Sequence, residues 1–390
     1  MIGVKGFISG ASKVTITPDR SVFLAGLSNN RRSTGVHDDL WARCLALSDG
    51  EETLILVALD LIGLFLDQVN LIRGEAEKHG LNGKDIIVAS THQHSGPDTL
   101  GLWGPDPTTS GVDEDYMAYV RKRVLDAILE ATGNMREAVL RFTSTKAPGG
   151  VARNSRNPGV LDPEISVLNV ETPKGETIAV LINFALHPEV LWSDNTLITA
   201  DFPNYLYATV EEELGGVALF FNGALGGMVT PDVEEHTFKE SERIGRTLAE
   251  AALKALRGEA EKQSRDSGLT VKRETLSLPV ENQKFKTLHS LGVIKRSIQN
   301  YEITTELYHV EVGDAEIITI PGEALPEIGL ELKAKMTGSI KFLIGLTNDE
   351  IGYIIPEEEW SPGRYEESMS LGPRTGTLMM RKILEMLQDP

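Results

Sequence analysis

The stretch Asp85-Ile86-Ile87-Val88-Ala89-Ser90-Thr91-His92-Gln93-His94-Ser95-Gly96-Pro97 joins an apolar run to two histidines that are separated by one residue. The β-branched start of this stretch predicts a buried strand. Alternate side chains of an extended chain point to the same side, so His92 and His94 would address one point beyond the end of the strand. Such a pair is a candidate metal site, although a single histidine is more often a structural residue than a ligand.

The residues before this stretch predict a βαβ unit. The apolar run at 54–59 is typical of a strand, the amphipathic pattern at about 64–79 is typical of a helix, and Gly80 and Gly83 mark a turn. A unit of this kind joins parallel strands by a right-handed connection. The two histidines would therefore lie at the carboxyl end of a parallel strand, where α/β proteins usually bind their ligands.

Strands and helices continue to the end of the chain. Further helices are predicted at 113–132, 204–214, 238–256, 324–336 and 374–387, and further strands at 139–144, 165–170, 177–184, 217–221, 270–278, 306–312, 316–320 and 340–346. We therefore expect an α/β fold with a mixed β-sheet core flanked by helices and a metal site at the carboxyl ends of strands. The polar segment 258–268 is a candidate linker at a sub-domain boundary.

The composition excludes several classes of function. The chain has 390 residues, of which 41% are hydrophobic and 24% charged, as in ordinary globular proteins. Its net charge of −19 and the lack of a basic patch argue against nucleic acid as a partner. We find no signal-peptide pattern and no apolar run near the ~20 residues of a membrane span, so we expect a cytoplasmic protein without a transmembrane segment. Cys44 is the only cysteine, which excludes a disulfide within the chain and a cysteine-rich zinc motif.

Three other predicted strand ends carry candidate ligands. His187 follows the strand at 177–184, and Glu323 follows the strand at 316–320 after a Pro-Gly turn. The polar segment 347–354 comes after a further strand. Histidine and carboxylate side chains are common zinc ligands. Because the chain already contains the His92 and His94 pair, His187 is a stronger candidate ligand than it would be alone.

At this point the motifs resemble the catalytic domain of the neutral, alkaline-type ceramidases, which are non-lysosomal zinc amidases. The strongest matches are Thr-His-x-His-Ser-Gly-Pro at 91–97, Asn-x-x-x-His-Pro at 183–188 and Pro-Gly-Glu at 321–323. Shorter matches, in chain order, are Gly-x-His at 35–37, the Arg/Asn/Pro region 153–158, Tyr-Ile at 353–354, Glu-Glu-Trp at 358–360, Arg-Tyr-Glu at 364–366 and Gly-Pro at 372–373. They extend through almost the whole chain, and they are specific as a set although each is weak alone.

The resemblance implies a zinc-dependent amidohydrolase that cleaves an N-acyl amide, ceramide-like or other, by zinc-activated water. The implied zinc ligands are His92, His187, Glu323 and Tyr353. His94 would stand beside the metal as a general acid or base, or else orient a neighbour by a hydrogen bond.

The resemblance also implies roles for two further residues, each of which has a simpler structural alternative. Tyr365 is expected to donate to the developing oxyanion, and Arg153 to bind a polar or anionic part of the substrate. Either residue would otherwise be an ordinary loop or surface residue. The family has a further carboxy-terminal β-sandwich, and this chain ends about where the catalytic domain of the family does. We therefore expect one domain over residues 1–390 without that sandwich.

The sequence departs from the family in ways that leave the substrate open. Thr230 stands where the family has a serine once considered as a nucleophile, which favours direct attack by water activated at zinc. Asp98 replaces a glycine and is expected to put a charge at the site mouth. A zinc hydrolase of small polar amides or esters is therefore an alternative, and a ceramidase-like binding protein without turnover is another. The expected partner is a small-molecule N-acyl amide, with its lipid character and the oligomeric state left open.

Overall fold

A computed structural model describes residues 6–258, 262–263 and 268–388. The α-helices are α1 (Leu66–Lys78), α2 (Glu114–Gly133), α3 (Phe202–Leu214), α4 (Phe238–Leu256), α5 (Gln283–Ser290), α6 (Pro326–Lys335), α7 (Tyr365–Ser368) and α8 (Thr375–Gln388). Short 3₁₀ helices occur at Gly83–Asp85 and Glu357–Glu359. The strands are β1 (Phe7–Thr15), β2 (Gly35–Val36), β3 (Trp41–Ser48), β4 (Thr53–Leu59), β5 (Ile86–Ser90), β6 (Arg136–Lys146), β7 (Ala152–Asn154), β8 (Glu164–Glu171), β9 (Thr177–Phe184), β10 (Leu197–Ile198), β11 (Val217–Asn222), β12 (Val229–Pro231), β13 (Lys262–Gln263), β14 (Leu269–Pro279), β15 (Glu302–Val312), β16 (Ala315–Thr319), β17 (Glu323–Ala324), β18 (Ile340–Ile344) and β19 (Tyr353–Ile354).

The larger sheet is mixed and has the strand order β11-β9-β8-β6-β1-β3-β4-β5, with β13 also paired to β6. Its two outer pairs, β11 with β9 and β4 with β5, are parallel, whereas the strands between them run antiparallel. The register of β4 against β5 runs from Ile55↔Ile86 to Leu59↔Ser90. The predicted parallel strands around α1 are therefore confirmed.

A second sheet packs against the first one. It has the order β14-β15-β16-β18, and only its last pair is parallel. Because side chains alternate along a strand, Leu56 and Ile87 of the larger sheet share a core with Tyr308 of the smaller sheet. Their neighbours Val57 and Val88 face the opposite way, into the core with α1 and α2. The sequence predicts one mixed sheet, and the structure divides the strands between two packed sheets.

Helices cover both outer faces of this sheet pair. The helices α1 and α2 cover one half of the larger sheet, and α3 and α4 cover the other half. The helices α5, α6 and α8 share a core with the smaller sheet. The fold is thus an α/β fold of four layers, helix, sheet, sheet and helix, and the predicted fold class is confirmed.

The helix predictions are close at most boundaries. Helix α4 occupies the predicted residues 238–256, and α2 begins after Asp113, whose side chain accepts hydrogen bonds from the amides of Asp115 and Tyr116. The short helix α5 is absent from the prediction. Most of the proposed boundary segment 258–268 lies outside the described residues. No described helix is long and apolar enough to span a membrane.

Gly245 of α4 lies at the close contact between α3 and α4, and Gly74 of α1 offers a comparison without such a contact. A Cβ atom at Gly245 of α4 would lie 2.8 Å from the Cβ of Tyr205 and would also collide with the carbonyl oxygen of Phe202. A Cβ atom at Gly74 of α1 would meet no described heavy atom within 4 Å outside its own helix and chain neighbours. We expect Gly245→Ala to lower the free energy of unfolding by about 1–3 kcal/mol. We expect Gly74→Ala to raise it by about 0.5–1 kcal/mol. Urea denaturation of both variants measures these changes, and a neutral Gly245→Ala would contradict this packing.

Candidate metal centre and adjoining cleft

The candidate ligands come together where the two sheets meet. His92 follows β5 and His187 follows β9, both of the larger sheet, whereas Glu323 follows β16 of the smaller sheet. The two-residue strands β17 and β19 pair in parallel and place Glu323 opposite Tyr353. All four side chains are buried. The structure therefore brings together the four residues that the resemblance implies as zinc ligands.

Two histidines and one carboxylate converge directly. Glu323 Oε2 lies 3.1 Å from His187 Nε2 and 3.4 Å from His92 Nε2. A hydrogen bond from Nδ1 fixes the orientation of each ring. His92 Nδ1 donates to the carbonyl of Ile62 at 2.6 Å, and His187 Nδ1 donates to the carbonyl of Val229 at 2.9 Å. Both Nε2 atoms are thereby directed inward, as in metal sites whose histidines are oriented by a backbone carbonyl.

The electrostatics of this centre keep Glu323 ionised next to two histidines. Burial opposes ionisation of Glu323, but His92 and His187 lower the pKa of its carboxyl far below the ordinary value, so the group stays charged. Burial and the nearby Glu323 raise the pKa of the Tyr353 phenol well above its ordinary value. Tyr353 is thus a neutral phenol beside the carboxylate, and its role as a ligand stays a prediction.

His94 lies in the same cluster. The ligand nitrogens of His92, His94 and His187 all lie within 4.8 Å of one another, and these three residues can hold a metal ion. His94 Nδ1 lies 3.2 Å from Glu189 Oε2, at ion-pair distance but without the alignment of a hydrogen bond. Its Nε2 is buried without a hydrogen-bond partner among the described residues. Burial lowers the pKa of His94 to about 4, which keeps the ring neutral.

Backbone geometry fixes the two histidines of the first motif. His92 has φ +67°, a left-handed conformation that costs energy for a residue other than glycine. Gly26, with φ +94°, packs against the ring of His94, and a Cβ atom there would lie 2.6 Å from Nδ1. The backbone conformation at His92 and the packing of Gly26 against His94 therefore fix the positions of the two histidines.

The remaining predicted site residues lie around the cluster. The ring of Tyr365, on α7, meets that of Tyr353 edge-on with centroids 5.9 Å apart, and the side chain is 53% exposed. Burial of part of this side chain and the carboxylate of Glu323 raise the pKa of its phenol. Arg156 pairs with the two carboxylates that follow Tyr365, at 3.1 and 2.7 Å, and so ties α7 to the body of the protein.

Thr230 and Arg153 are paired across the short β7–β12 ladder. Arg153 is exposed, and together with Thr230 it lines a pocket that also includes Glu189, Trp192 and His236. Burial opposes ionisation of Glu189, but His187, His94 and the Thr230 hydroxyl lower its pKa to about 2. The structure thus places Thr230 beside the carboxylate that faces His94.

One expectation about the site mouth is wrong. Asp98 is buried, and its carboxylate accepts hydrogen bonds from the amides of Leu100, Gly101 and Trp103 at 2.7–3.0 Å. An Asp followed by amides two to five residues on organises its own loop. The charge therefore does not face a substrate, and it gives no support to the alternative of small polar substrates.

Sequence reasoning missed Glu189, Glu350 and Arg296. Glu189 stands two residues after His187 in a His-Pro-Glu sequence, so the strand-end rule that found the histidine would also have found it. Glu350 lies in the polar segment 347–354, where no property of the sequence singles it out. Arg296 comes from a loop far away in the chain, and its contact with Asp349 at 2.8 Å is visible only in the fold.

An apolar cleft opens next to the histidines. It has a volume of about 730 Å³ with its open mouth included, and His92, His94, Glu323 and Tyr353 form its polar end. The rest of the wall is mainly apolar, with Phe65, Leu102, Trp103, Phe285, Ile298 and Leu371 among its residues. An aliphatic chain could therefore lie in this cleft with its polar end at the metal centre.

The fold and the site together define an α/β protein with two packed sheets and a buried histidine–carboxylate cluster at their common edge. The family model described as neutral/alkaline non-lysosomal ceramidase, N-terminal, matches residues 7–230. This match covers more than half of the chain, so the protein belongs to that family.

Individual relatives agree with this assignment. The neutral ceramidase of Pseudomonas aeruginosa is 24% identical over 216 residues, which are 50% of this chain and 32% of that protein. The crystal structure of neutral ceramidase from Pseudomonas aeruginosa superimposes with a TM-score of 0.83 at 18% identity, over 98% of this chain and 74% of that one. A structure of ceramidase complexed with C2 gives the same TM-score and identity over 75% of its length. The sequence match thus spans about a third of the curated relative, and the structural match shows the shared fold.

Metal binding by the histidine cluster can be tested directly. We expect purified protein to hold one divalent ion per chain, and His92→Ala or His187→Ala to lose it, because each variant removes one inward-facing Nε2. Elemental analysis after dialysis measures the metal content. His79→Ala, which removes an exposed histidine next to α1, is the matched control and should keep the ion. Full metal content in both cluster variants would contradict this site.

Proposed function

We propose that this protein is a zinc-dependent amidohydrolase that cleaves an N-acyl amide with a long apolar chain, of ceramide-like type. The observation that carries the proposal is the convergence of His92, His187 and Glu323 at the polar end of an apolar cleft. Family membership and the name of the Pseudomonas aeruginosa relative support the reaction class.

The residues at the centre suit zinc by their chemistry. Two neutral imidazole nitrogens and one carboxylate are a common set for catalytic zinc, and here the Nε2 atoms of His92 and His187 lie 3.4 and 3.1 Å from Oε2 of Glu323. His92, His187 and Glu323 would hold the ion, with Tyr353 as the further ligand. When bound there, zinc would supply Lewis-acid polarisation of the amide carbonyl and activation of water.

His94 and Glu189 act in this proposal as a proton-transfer pair. The Glu189 carboxylate lies 3.2 Å from Nδ1 of His94 and would stabilise the imidazolium that forms when Nε2 takes a proton. The same ring would then give this proton to the leaving amine. In this proposal Thr230 helps to keep Glu189 ionised, and its hydroxyl does not attack the substrate.

The two tyrosines and the arginine complete the proposed site. Tyr365 lies at the cleft next to Tyr353 and would donate its phenol hydrogen to the oxyanion. Arg153 lines the pocket that also includes Glu189 and Thr230, and it would bind a polar part of the substrate. The apolar wall of the cleft favours a long-chain amide over the small polar amides or esters of the alternative.

The division of roles between ligand and proton carrier predicts a split between two properties. We expect His94→Ala to keep its zinc and to lose activity on an N-acyl amide by about 10²–10⁴-fold, because proton transfer contributes that much to catalysis. We expect His92→Ala to lose both zinc and activity. Zinc content and kcat of the two variants measure the split. Loss of zinc in His94→Ala would make His94 a ligand and overturn this assignment.

The apolar cleft predicts a preference for chain length. We expect kcat/KM to rise with acyl length, since each buried methylene contributes about 0.8 kcal/mol, or roughly fourfold. Leu102→Asn should lower kcat/KM for a long-chain amide and leave a two-carbon amide nearly unchanged. The control is Leu71→Asn, at an exposed position on α1. Equal rates for all chain lengths would favour the small polar substrates instead.

A further inference from the structure

Glu350 stands out among the residues that line the cleft. It is 6% exposed, and one of its oxygens, Oε1, accepts a hydrogen bond from the amide of Gly352 at 2.8 Å. The other oxygen, Oε2, is buried and has no hydrogen-bond partner among the described residues. A buried polar atom without a partner is unfavourable, so a ligand that supplies the missing hydrogen bond would bind more tightly.

The surroundings hold the Glu350 side chain at the cleft wall. Its backbone amide donates to Asp349 Oδ1 at 3.0 Å, and the same oxygen accepts from the amide of Leu66 at the start of α1. On its other side, Gly63 packs so closely that a Cβ atom there would lie 2.9 Å from both Cβ and Cγ of Glu350. The backbone of Glu350 and the first part of its side chain are therefore packed against α1 and the loop before it.

The nearest cation does not satisfy this carboxyl group. Arg296 also lines the cleft, but its Nη2 donates to Asp349 Oδ2 at 2.8 Å and its Nη1 lies 3.4 Å from the backbone oxygen of Glu350. The guanidinium also stacks over the ring of Phe65 at 5.1 Å. Arg296 thus neutralises Asp349 and fixes the Glu350 backbone, and the Oε2 atom is left for something that enters the cleft.

Building on the proposed amidase function, we infer that Glu350 is a specificity-determining residue that binds a hydroxyl group of the substrate close to the scissile amide. A hydroxyl group can both donate and accept, so it pairs with a carboxylate and with a carboxylic acid alike. Glu350 and Glu323 line the same cleft, so a substrate whose amide lies at Glu323 also comes close to Glu350. Burial and repulsion from Glu323 raise the pKa of Glu350 well above its ordinary value. The hydroxyl can belong to the amine part or to the acyl part of the substrate.

Three matched amides separate these two sources. The parent compound is N-decanoylethylamine, the second carries a hydroxyl on the amine part (N-decanoylethanolamine), and the third carries one on the acyl part (N-(2-hydroxydecanoyl)ethylamine). We expect the zinc-loaded wild-type protein to prefer one hydroxylated compound over the parent by about tenfold in kcat/KM. Glu350→Leu and Glu350→Ala should both abolish this preference, and Glu358→Gln, at an exposed position, should keep it.

The possible outcomes bear differently on the two proposals. Turnover of all three amides without any preference in the wild-type protein would overturn the role of Glu350 and leave the amidase proposal standing. A preference that persists in a folded Glu350→Leu or Glu350→Ala variant would overturn it as well. Without turnover, calorimetric titration of the same compounds replaces kinetics. Tighter binding of a hydroxylated amide that depends on Glu350 would then support this inference while the proposed function fails.

Discussion

The contact of one carboxylate with two histidines is the constraint on which the centre depends. Glu323 Oε2 lies within 3.4 Å of the Nε2 atoms of both His92 and His187. The histidines follow strands of the larger sheet, and the glutamate follows a strand of the smaller one. Because a buried carboxylate is costly unless it is paired, the packing of the two sheets must hold this edge in one arrangement. The arrangement of these three side chains and the sheet packing therefore depend on each other.

Two asparagines of the larger sheet, Asn183 and Asn222, form hydrogen bonds to the smaller sheet and the residue that follows it. Asn183 donates to the carbonyl of Leu343 at 2.9 Å and accepts from its amide at 3.1 Å, which ties β9 to β18. Asn222 accepts from the amide of Leu186 through its side chain and from that of Gly345 through its backbone, both at 3.0 Å. The first residue of the Asn-x-x-x-His-Pro motif thus serves structure. The histidine of the same motif, His187, belongs to the site. Only three residues separate it from Asn183, so the contact of Asn183 with the second sheet also positions His187.

Local pattern predicted the parts of the molecule that local physics determines. The apolar run before His92 and the helical period at 64–79 define a βαβ unit within one short segment, and that unit forms as predicted. The division into two sheets depends on contacts such as that of Leu56 with Tyr308, which are distant in the chain and leave no local signal. Asp98 shows the opposite error, because the sequence predicts a charge at the site mouth, whereas the buried carboxylate closes its own loop.

For the candidate site, the sequence predicts the residues at strand ends but not the contacts between them. His187 and Glu323 were found because each follows a strand end, a position that chain order alone reveals. Their exact partners were not, since Glu189 meets His94 and Arg296 meets Asp349 only after the sheets have packed. The resemblance to a family supplied the ligand set, and the described geometry brings its members within reach of one another.

The most direct test of the central claim is a crystal structure of the zinc-loaded protein with anomalous diffraction measured at the zinc edge. The account predicts one strong anomalous peak bonded to Nε2 of His92, Nε2 of His187 and a carboxylate oxygen of Glu323, at distances of about 2.0–2.2 Å. A fully zinc-loaded protein without a peak between these three residues would contradict it.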